Sequence, residues 1–237
     1  MRRLIWGAFF ATGLLFAQPQ IPFNSATCDA TSGTTCVITL STAPAANDTG
    51  VILLGGSTAG LVVSSVTGGG FTWSPTASAS LIRNTTQKEV EAVCGNLATG
   101  SGGTTITITM SGTITTLVSA VFAEVAGASC NSDGGGAIGF AAAHGTTGAP
   151  STSGDIGTTK ENSEIAFSAA MVDTAAGFTS MTGGYTALAS LDAVFIPGYL
   201  LTSAIGTATT STWTGISSAS WGAAVVVLRS PGGATYR

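Results

Sequence analysis

The sequence predicts an all-β fold, an antiparallel two-sheet sandwich of jelly-roll type built from two pseudo-repeats. Short apolar or alternating runs, bounded by Gly, Ser, Thr, Asn and Pro, recur along the chain and are typical of strands. After the N-terminal segment, no long window has the spacing of an amphipathic helix. Only 8% of the 237 residues are charged, against roughly 25% in an average soluble domain. Ser, Thr, Asn and Gly must therefore cover much of the surface.

The pseudo-repeat is predicted from a sequence pattern that occurs twice in the chain. "TTITITMSGTITTLVSAVFAEVAG" begins at Thr104 and "TATTSTWTGISSASWGAAVVVLRSPG" begins at Thr207. Each is a Thr-rich alternating run, a Gly-containing break and a long apolar run. Earlier elements recur in the same order, which predicts two five-strand halves at about 50–127 and 163–232. The Gly- and Ser-rich connection 128–162 is long enough to carry a function.

We expect both halves to pack as one domain over 18–237, because each sheet has an apolar face that needs covering. The alternative is two small sandwiches in tandem. The run from Thr105 to Met110 alternates Thr with Ile or Met, which predicts one buried and one solvated face. Val51–Leu54 and Val225–Leu228 are continuously apolar, which is typical of strands covered on both faces. The predicted strands, in order, are Thr35–Leu40, Gly50–Gly55, Leu61–Thr67, Phe71–Trp73, Lys88–Cys94, Thr104–Ser111, Thr116–Val125, Glu164–Val172, Tyr185–Leu191, Tyr199–Ala204, Thr207–Trp213 and Trp221–Arg229.

The N-terminal segment has the layout of a secretory signal peptide. Two arginines precede an apolar run that ends at Ala17, and the run is short for a membrane span. We predict cleavage after Ala17, secretion, and no membrane span in the mature chain; the alternatives are a retained anchor or a hydrophobic assembly arm. Without Arg2 and Arg3, five basic and eleven acidic residues remain, a net charge near −6. Such a chain is not expected to bind nucleic acid.

The four cysteines remaining after cleavage fit an exported protein with two disulfides. They can pair in three ways. Because "CDATSGTTC" resembles a small closed hairpin loop, Cys28–Cys36 is favoured, which leaves Cys94–Cys130. A metal site is the competing interpretation, but the spacing has no C-x-x-C pattern.

Residues for catalysis are sparse. His144 is the single histidine and no G-x-S-x-G sequence occurs, so a serine triad is not predicted. We also expect no cofactor and no metal. Glu124 stands in the otherwise apolar strand "SAVFAEVAG", either bonded to neighbouring backbone amides or as half of a glycosidase pair. Glu89 and Glu91 share one strand face and are predicted to be solvated.

Trp73 and Trp213 are the speculative binding residues, together with Glu124. Aromatic side chains could form a platform on which sugars stack. Trp213 ends a Thr-rich strand and is the best candidate for exposure, whereas Trp221 is expected in the core.

The segments "VSSVTGGGFTW", "TTITITMSG", "LVSAVFAEVAG" and "WGAAVVVLRS" resemble those of uncharacterised secreted Gly/Thr-rich β-sandwich proteins of soil bacteria, with related segments in phage virion and tail proteins. The resemblance covers about Ile21–Arg229 and implies a secreted β-sandwich, without supplying catalytic residues. The chain departs from the pattern at "TGGG" and at Cys94, where the usual Asp and Asn, and a common Tyr, are absent. The matching positions are Val66, Thr67, Thr72, Trp73, Glu124, Gly127, Trp221 and Arg229.

These observations predict a non-catalytic secreted surface protein with a structural or adhesive role. The alternatives are a carbohydrate-binding module and, third, a polymer-degrading glycoside hydrolase. The expected partners are a glycan or cell-surface ligand and further copies of the chain. Thr104–Ser111 and Thr207–Trp213 contain no lysine or proline to discourage edge-to-edge pairing. If either run is an edge strand, we predict homo-oligomers formed through that Thr-rich edge; the alternative is that both runs lie inside their sheets and the protein is a monomer.

Overall fold

The structure is a computed structural model of the full chain. It describes residues 24–57, 60–74, 82–83, 88–97, 102–126, 128, 130, 139–145, 149–150, 164–173, 178–202, 210–216 and 220–228. The predicted signal peptide 1–17 lies outside the described residues. The domain bounds therefore remain a prediction.

All regular structure in the described residues is β, and every strand pair is antiparallel. The predicted all-β sandwich class is confirmed. The strands are β1 (Asn24–Ala30), β2 (Thr35–Thr39), β3 (Thr49–Gly56), β4 (Val63–Gly68), β5 (Phe71–Ser74), β6 (Ile82–Arg83), β7 (Glu89–Leu97), β8 (Thr105–Met110), β9 (Val118–Val125), β10 (Gly139–Gly145), β11 (Ile165–Val172), β12 (Ser180–Met181), β13 (Thr186–Ala187), β14 (Phe195–Leu201), β15 (Trp213–Thr214) and β16 (Trp221–Leu228).

Two large central sheets form the middle of the molecule. The first central sheet has the order β1-β9-β3-β7-β5, with β6 also on β7, and the second has the order β10-β16-β11-β14-β13. When the five strands of each order are numbered along the chain, the two central sheets have the same strand order, as an internal repeat would produce. A first outer sheet, β2-β8-β4, and a second outer sheet, β12-β15, complete the fold.

Three apolar layers lie between these sheets. The first includes Phe122 of β9 and Ile108 of β8, between the first central and first outer sheets. The second includes Leu53 and Phe167, where the two central sheets meet. The third includes Trp213 below the second outer sheet. Because both faces of the central sheets are covered, β3, β9, β11 and β16 are buried at every position.

One backbone contact recurs in both halves. In the first half the N–H of Met110 donates to the carbonyl oxygen of Thr34 at 2.8 Å, next to β2. In the second half the N–H of Trp213 donates to the carbonyl oxygen of Pro150 at 3.0 Å. The chain near Pro150 thus takes the place beside β15 that β2 takes beside β8.

Both predicted disulfides are confirmed. Cys28–Cys36 joins β1 of the first central sheet to β2 of the first outer sheet. Cys94–Cys130 joins β7 to the chain beyond β9, across 36 positions of sequence. Two disulfides fit an oxidising compartment.

Several features of the fold differ from the sequence prediction. The connection 128–162 contains a strand, β10, that pairs with β16 along its whole length. Strand β14 begins at Phe195, four positions before the predicted start, and β13 has only two residues. The Thr-rich strand β8 is the middle strand of its sheet, so for the run Thr104–Ser111 the edge interpretation is wrong and the inside position is found. The backbone N–H and C=O groups on both sides of β8 face a paired strand, β2 on one side and β4 on the other.

Candidate functional site

Glu124 lies at the end of β9 and is buried, with 1% of its surface exposed. Its Oε2 accepts a hydrogen bond from Nδ2 of Asn24, opposite it on β1, at 2.8 Å. Its Oε1 accepts the N–H of Ala45 at 2.7 Å. Nδ2 of Asn24 also donates to the carbonyl oxygen of Thr42 at 3.1 Å. The expected bond from Glu124 to a backbone amide is therefore present.

A second carboxyl group, Asp48, is buried and interacts electrostatically with Glu124. Burial, a hydrogen bond to Glu124 and the charge of Glu124 together raise the pKa of Asp48 from 3.8 to about 6. A hydrogen bond between two carboxyl groups requires a proton on one of them. Oδ2 of Asp48 and Oδ1 of Asn24 are buried without a hydrogen-bond partner among the described residues.

This arrangement does not suit glycoside hydrolysis. Glycosidases keep their two carboxyl groups roughly 5–9.5 Å apart, with the sugar or a water between them. Asp48 and Glu124 are 7% and 1% exposed instead, and both oxygens of Glu124 accept hydrogen bonds from protein N–H groups, so the pair does not line an open cleft. The cluster ties β1, β9 and the loop before β3 together, so its geometry fits a structural role.

Glu89 and Glu91 form a second carboxylate pair on β7. The prediction that they are solvated is wrong, because they are 2% and 4% exposed. Their strand face is covered by the loop from β3 to β4, whose amides they bind. Oε1 of Glu89 accepts the N–H of Gly60 at 2.8 Å, and Oε2 of Glu91 accepts the N–H of Val63 at 2.9 Å.

An ion pair beside this pair links the two halves of the chain. Nζ of Lys88, just before β7, lies 2.9 Å from Oδ1 of Asp173, just after β11. Nζ of Lys88 also donates to Oγ of Ser57 at 3.3 Å. The Lys88 side chain is 11% exposed and that of Asp173 is 39% exposed. The pair therefore closes one end of the interface between the two central sheets.

We predict that Glu91 makes the protein more stable at mildly acidic pH. Burial raises the pKa of Glu91 from 4.5 to about 7, the charge of Glu89 adds to this, and the Val63 N–H opposes it. Between these values the folded state binds a proton that the unfolded state lacks, so stability falls as pH rises through this window. The loss reaches about 3 kcal/mol, from about 1.4 kcal/mol per pKa unit.

Chemical unfolding at pH 4.5 and pH 8 measures this dependence. Glu91→Gln keeps an oxygen that can accept the Val63 N–H, so it should flatten the dependence. Asp29→Asn, at an exposed position on β1, is the matched control for a lost charge. A Glu91→Gln protein with the full wild-type slope would contradict the assignment.

The aromatic binding candidates lie in the core. Trp213 is completely buried, and its Nε1 donates to the carbonyl oxygen of Ile196 at 3.0 Å. The expectation that Trp213 is exposed is wrong, because the second outer sheet turns this side chain onto the second central sheet. Trp73 is 9% exposed and packs against Phe71 and Phe122. Trp221, as expected, belongs to the core. These tryptophans form no exposed stacking platform.

The outward side of the first outer sheet is a surface that sequence reasoning found only in part. Its side chains, which we call the hydroxyl face, are exposed or half-buried and carry no charge. Neighbouring strands bring three polar rows together, for example Thr35 beside Thr109 and Thr109 beside Ser65. The hydroxyl face consists of Thr35, Val37, Thr39, Ser65, Thr67, Thr105, Thr107 and Thr109.

The sequence predicted only the β8 ladder, Thr105, Thr107 and Thr109. The remaining members come from β2 and β4, whose pairing with β8 is a tertiary fact. Side chains in such an array repeat about every 4.8 Å across strands and about every 6.7 Å along them. The face presents methyl and hydroxyl groups in a regular pattern.

The described residues contain no group of three or more His, Cys, Asp or Glu side chains that could hold a metal ion. Nor do they include a helix of the length and apolarity that crossing a membrane requires. His144 lies in β10, where its backbone is opposite Gly222. Comparisons of the chain with protein-family models, curated proteins and solved structures gave no match.

Proposed function

We propose that this protein is a non-catalytic extracellular protein with a structural or adhesive role, and that the hydroxyl face is its contact surface. The observation that carries the proposal is that the candidate catalytic carboxylates are buried and bonded within the fold. Glu124, Glu89 and Glu91 are buried, and each accepts a backbone N–H. They position loops within the fold.

The hydroxyl face offers a contact surface that is neutral and rich in hydroxyl groups. A row of Thr and Ser side chains can donate and accept hydrogen bonds and can also offer methyl groups. Such a surface suits a neutral, hydroxyl-bearing partner on a cell or in an extracellular matrix. Two disulfides and the predicted signal peptide support the extracellular location.

We predict that Thr107→Lys weakens binding at least tenfold, which corresponds to about 1.4 kcal/mol. Thr107 is the central β8 member of the hydroxyl face and lies between Val37 and Thr67. A charged side chain there would have to be desolvated on contact. A glycan array and a cell-surface binding assay, each with wild type and variant, measure the effect.

The matched control is Thr186→Lys, which adds the same charge at an exposed position on β13. Equal loss of binding by both variants would contradict a role for the hydroxyl face. Turnover of an extracellular polymer by the purified protein would contradict the non-catalytic role. Selective capture of one glycan through the hydroxyl face would instead make the protein a carbohydrate-binding module.

A further inference from the structure

Among the described residues, strand β2 is an edge of the first outer sheet, and the ladder geometry defines which of its sides has no strand beside it. The N–H of Met110 donates to the carbonyl oxygen of Thr34, and the N–H of Leu40 donates to that of Thr104. Hydrogen-bonded pairs alternate along an antiparallel ladder. The even-numbered residues of this strand therefore bond to β8.

It follows that Thr35, Val37 and Thr39 direct their N–H and C=O groups away from β8, toward the open side. The side chains of the same residues belong to the hydroxyl face. Three consecutive odd positions therefore offer a short, regular template for another strand.

This edge lacks the features that usually discourage pairing. Strand β2, "TCVIT", has no charge, no proline and no register shift along β8. The opposite edge of the same sheet, β4, has a register shift between Val63 and Ser65. Strand β1, which borders the first central sheet, carries the exposed Asp29. Val37 is 49% exposed, although it is a large apolar side chain.

We propose that β2 pairs with β2 of a second copy of this chain, antiparallel and about a two-fold axis at Val37. Val37 then faces the partner's Val37, and Thr35 faces the partner's Thr39. Each of the three odd residues exchanges both backbone hydrogen bonds with the other copy. The two Val37 side chains cover one another across the axis.

A second copy is the occupant that the edge favours because the segment is self-complementary. Reversed about Val37, its outward side chains read Thr, Val, Thr in either direction. A two-fold interface needs this self-match. The pairing joins the two outer sheets into one sheet, β4-β8-β2 followed by β2-β8-β4 of the partner, and makes the hydroxyl face continuous across both copies.

The dimer is weak by its size. An edge of five residues buries much less than the roughly 800 Å² per partner of a stable interface. Association therefore depends on concentration and operates where many copies are close together. Its biological use rests on the proposed extracellular role, whereas the dimer itself does not.

Sedimentation equilibrium of the purified protein over a wide concentration range tests the pairing. Wild type is expected to shift from monomer to dimer as concentration rises. Val37→Pro removes an N–H on the open side that β8 does not use, and edge strands tolerate such a proline. Val37→Lys places two like charges opposite one another at the axis. Each variant is expected to raise the dimer dissociation constant at least tenfold.

Thr67→Lys is the matched control, because it adds the same charge to the hydroxyl face but on β4, away from the axis. It is expected to dimerise like wild type. Circular dichroism verifies that each variant is folded, and Val37→Lys tests the proposal if Val37→Pro does not fold. A wild type that stays monomeric at the highest concentration would overturn it, as would equal dimerisation of Val37→Lys and wild type or equal disruption by Thr67→Lys.

The outcomes also separate this inference from the proposed function. Thr107→Lys should lose ligand binding whether or not the protein dimerises. A monomeric wild type whose binding still depends on Thr107 would refute the dimer and leave the contact surface in place. A dimer without any surface ligand would do the reverse.

Discussion

Replacing Trp213 by alanine is expected to lower the free energy of unfolding by about 3–5 kcal/mol. Trp213 has no exposed surface and is the largest fully buried side chain between the second outer sheet and the second central sheet. The substitution leaves a cavity. It also removes the hydrogen bond from Nε1 to the carbonyl oxygen of Ile196. Ile196 also lies in a hydrogen-bonded pair with Ala170 of β11, so its carbonyl oxygen keeps a partner and the lost bond itself contributes about 0.5–1.5 kcal/mol.

Urea unfolding of wild type and variants at one pH measures the change. Trp213→Phe fills much of the volume but cannot donate to Ile196, so it should cost less than Trp213→Ala. Leu191→Ala, at a position that is 64% exposed, is the control for a large-to-small change and should have little effect. A Trp213→Ala protein as stable as the Leu191→Ala protein would show that the second outer sheet contributes little.

Removing the Cys94–Cys130 disulfide is expected to cost about 4 kcal/mol, from the loop-closure entropy of a chain segment of 36 residues. Removing Cys28–Cys36, with a separation of only 8, is expected to cost about 2.5 kcal/mol by the same relation. The unfolded chain gains more conformational entropy when the disulfide that closes the longer loop is removed.

Two double variants test this order. In one, Cys94 and Cys130 are replaced by alanine; in the other, Cys28 and Cys36 are replaced by alanine. Replacing both members avoids an unpaired thiol. In equilibrium unfolding, the variant without Cys94–Cys130 should have a lower free energy of unfolding than the variant without Cys28–Cys36. The reverse order would mean that the link between β1 and β2 stabilises the native sheets beyond its effect on the unfolded chain.

Much of the strand pattern could be predicted from local sequence. The alternation of Ile106, Ile108 and Met110 with threonines predicted β8, and each of these three residues is buried. Two edge strands of the central sheets were not predicted. Strand β1, "NSATCDA", lacks apolar alternation, and β10 lies in a segment rich in Gly and Ala. Pairing with β9 and β16 keeps β1 and β10 extended, whereas their intrinsic β propensity alone would not.

The candidate site was predicted in part. Glu124 was recognisable as a carboxylate in an apolar strand, but Asp48 and Asn24 were not. The hydrogen bond between Asn24 and Glu124 spans 100 positions of sequence, and the bond from Ala45 spans 79. Neither partner lies in a pattern that points to a distant carboxylate.

By itself, the sequence determined the all-β class and the strands that carry two apolar faces. Each of these follows from local periodicity or from composition, which a single chain displays directly. Only the tertiary structure decided that Trp213 is buried, that β8 is a central strand, and that β2 is an edge among the described strands. The physical reason is that a period of two separates the faces of a strand without stating what covers either face. That depends on which distant strands pair and on how many sheets stack.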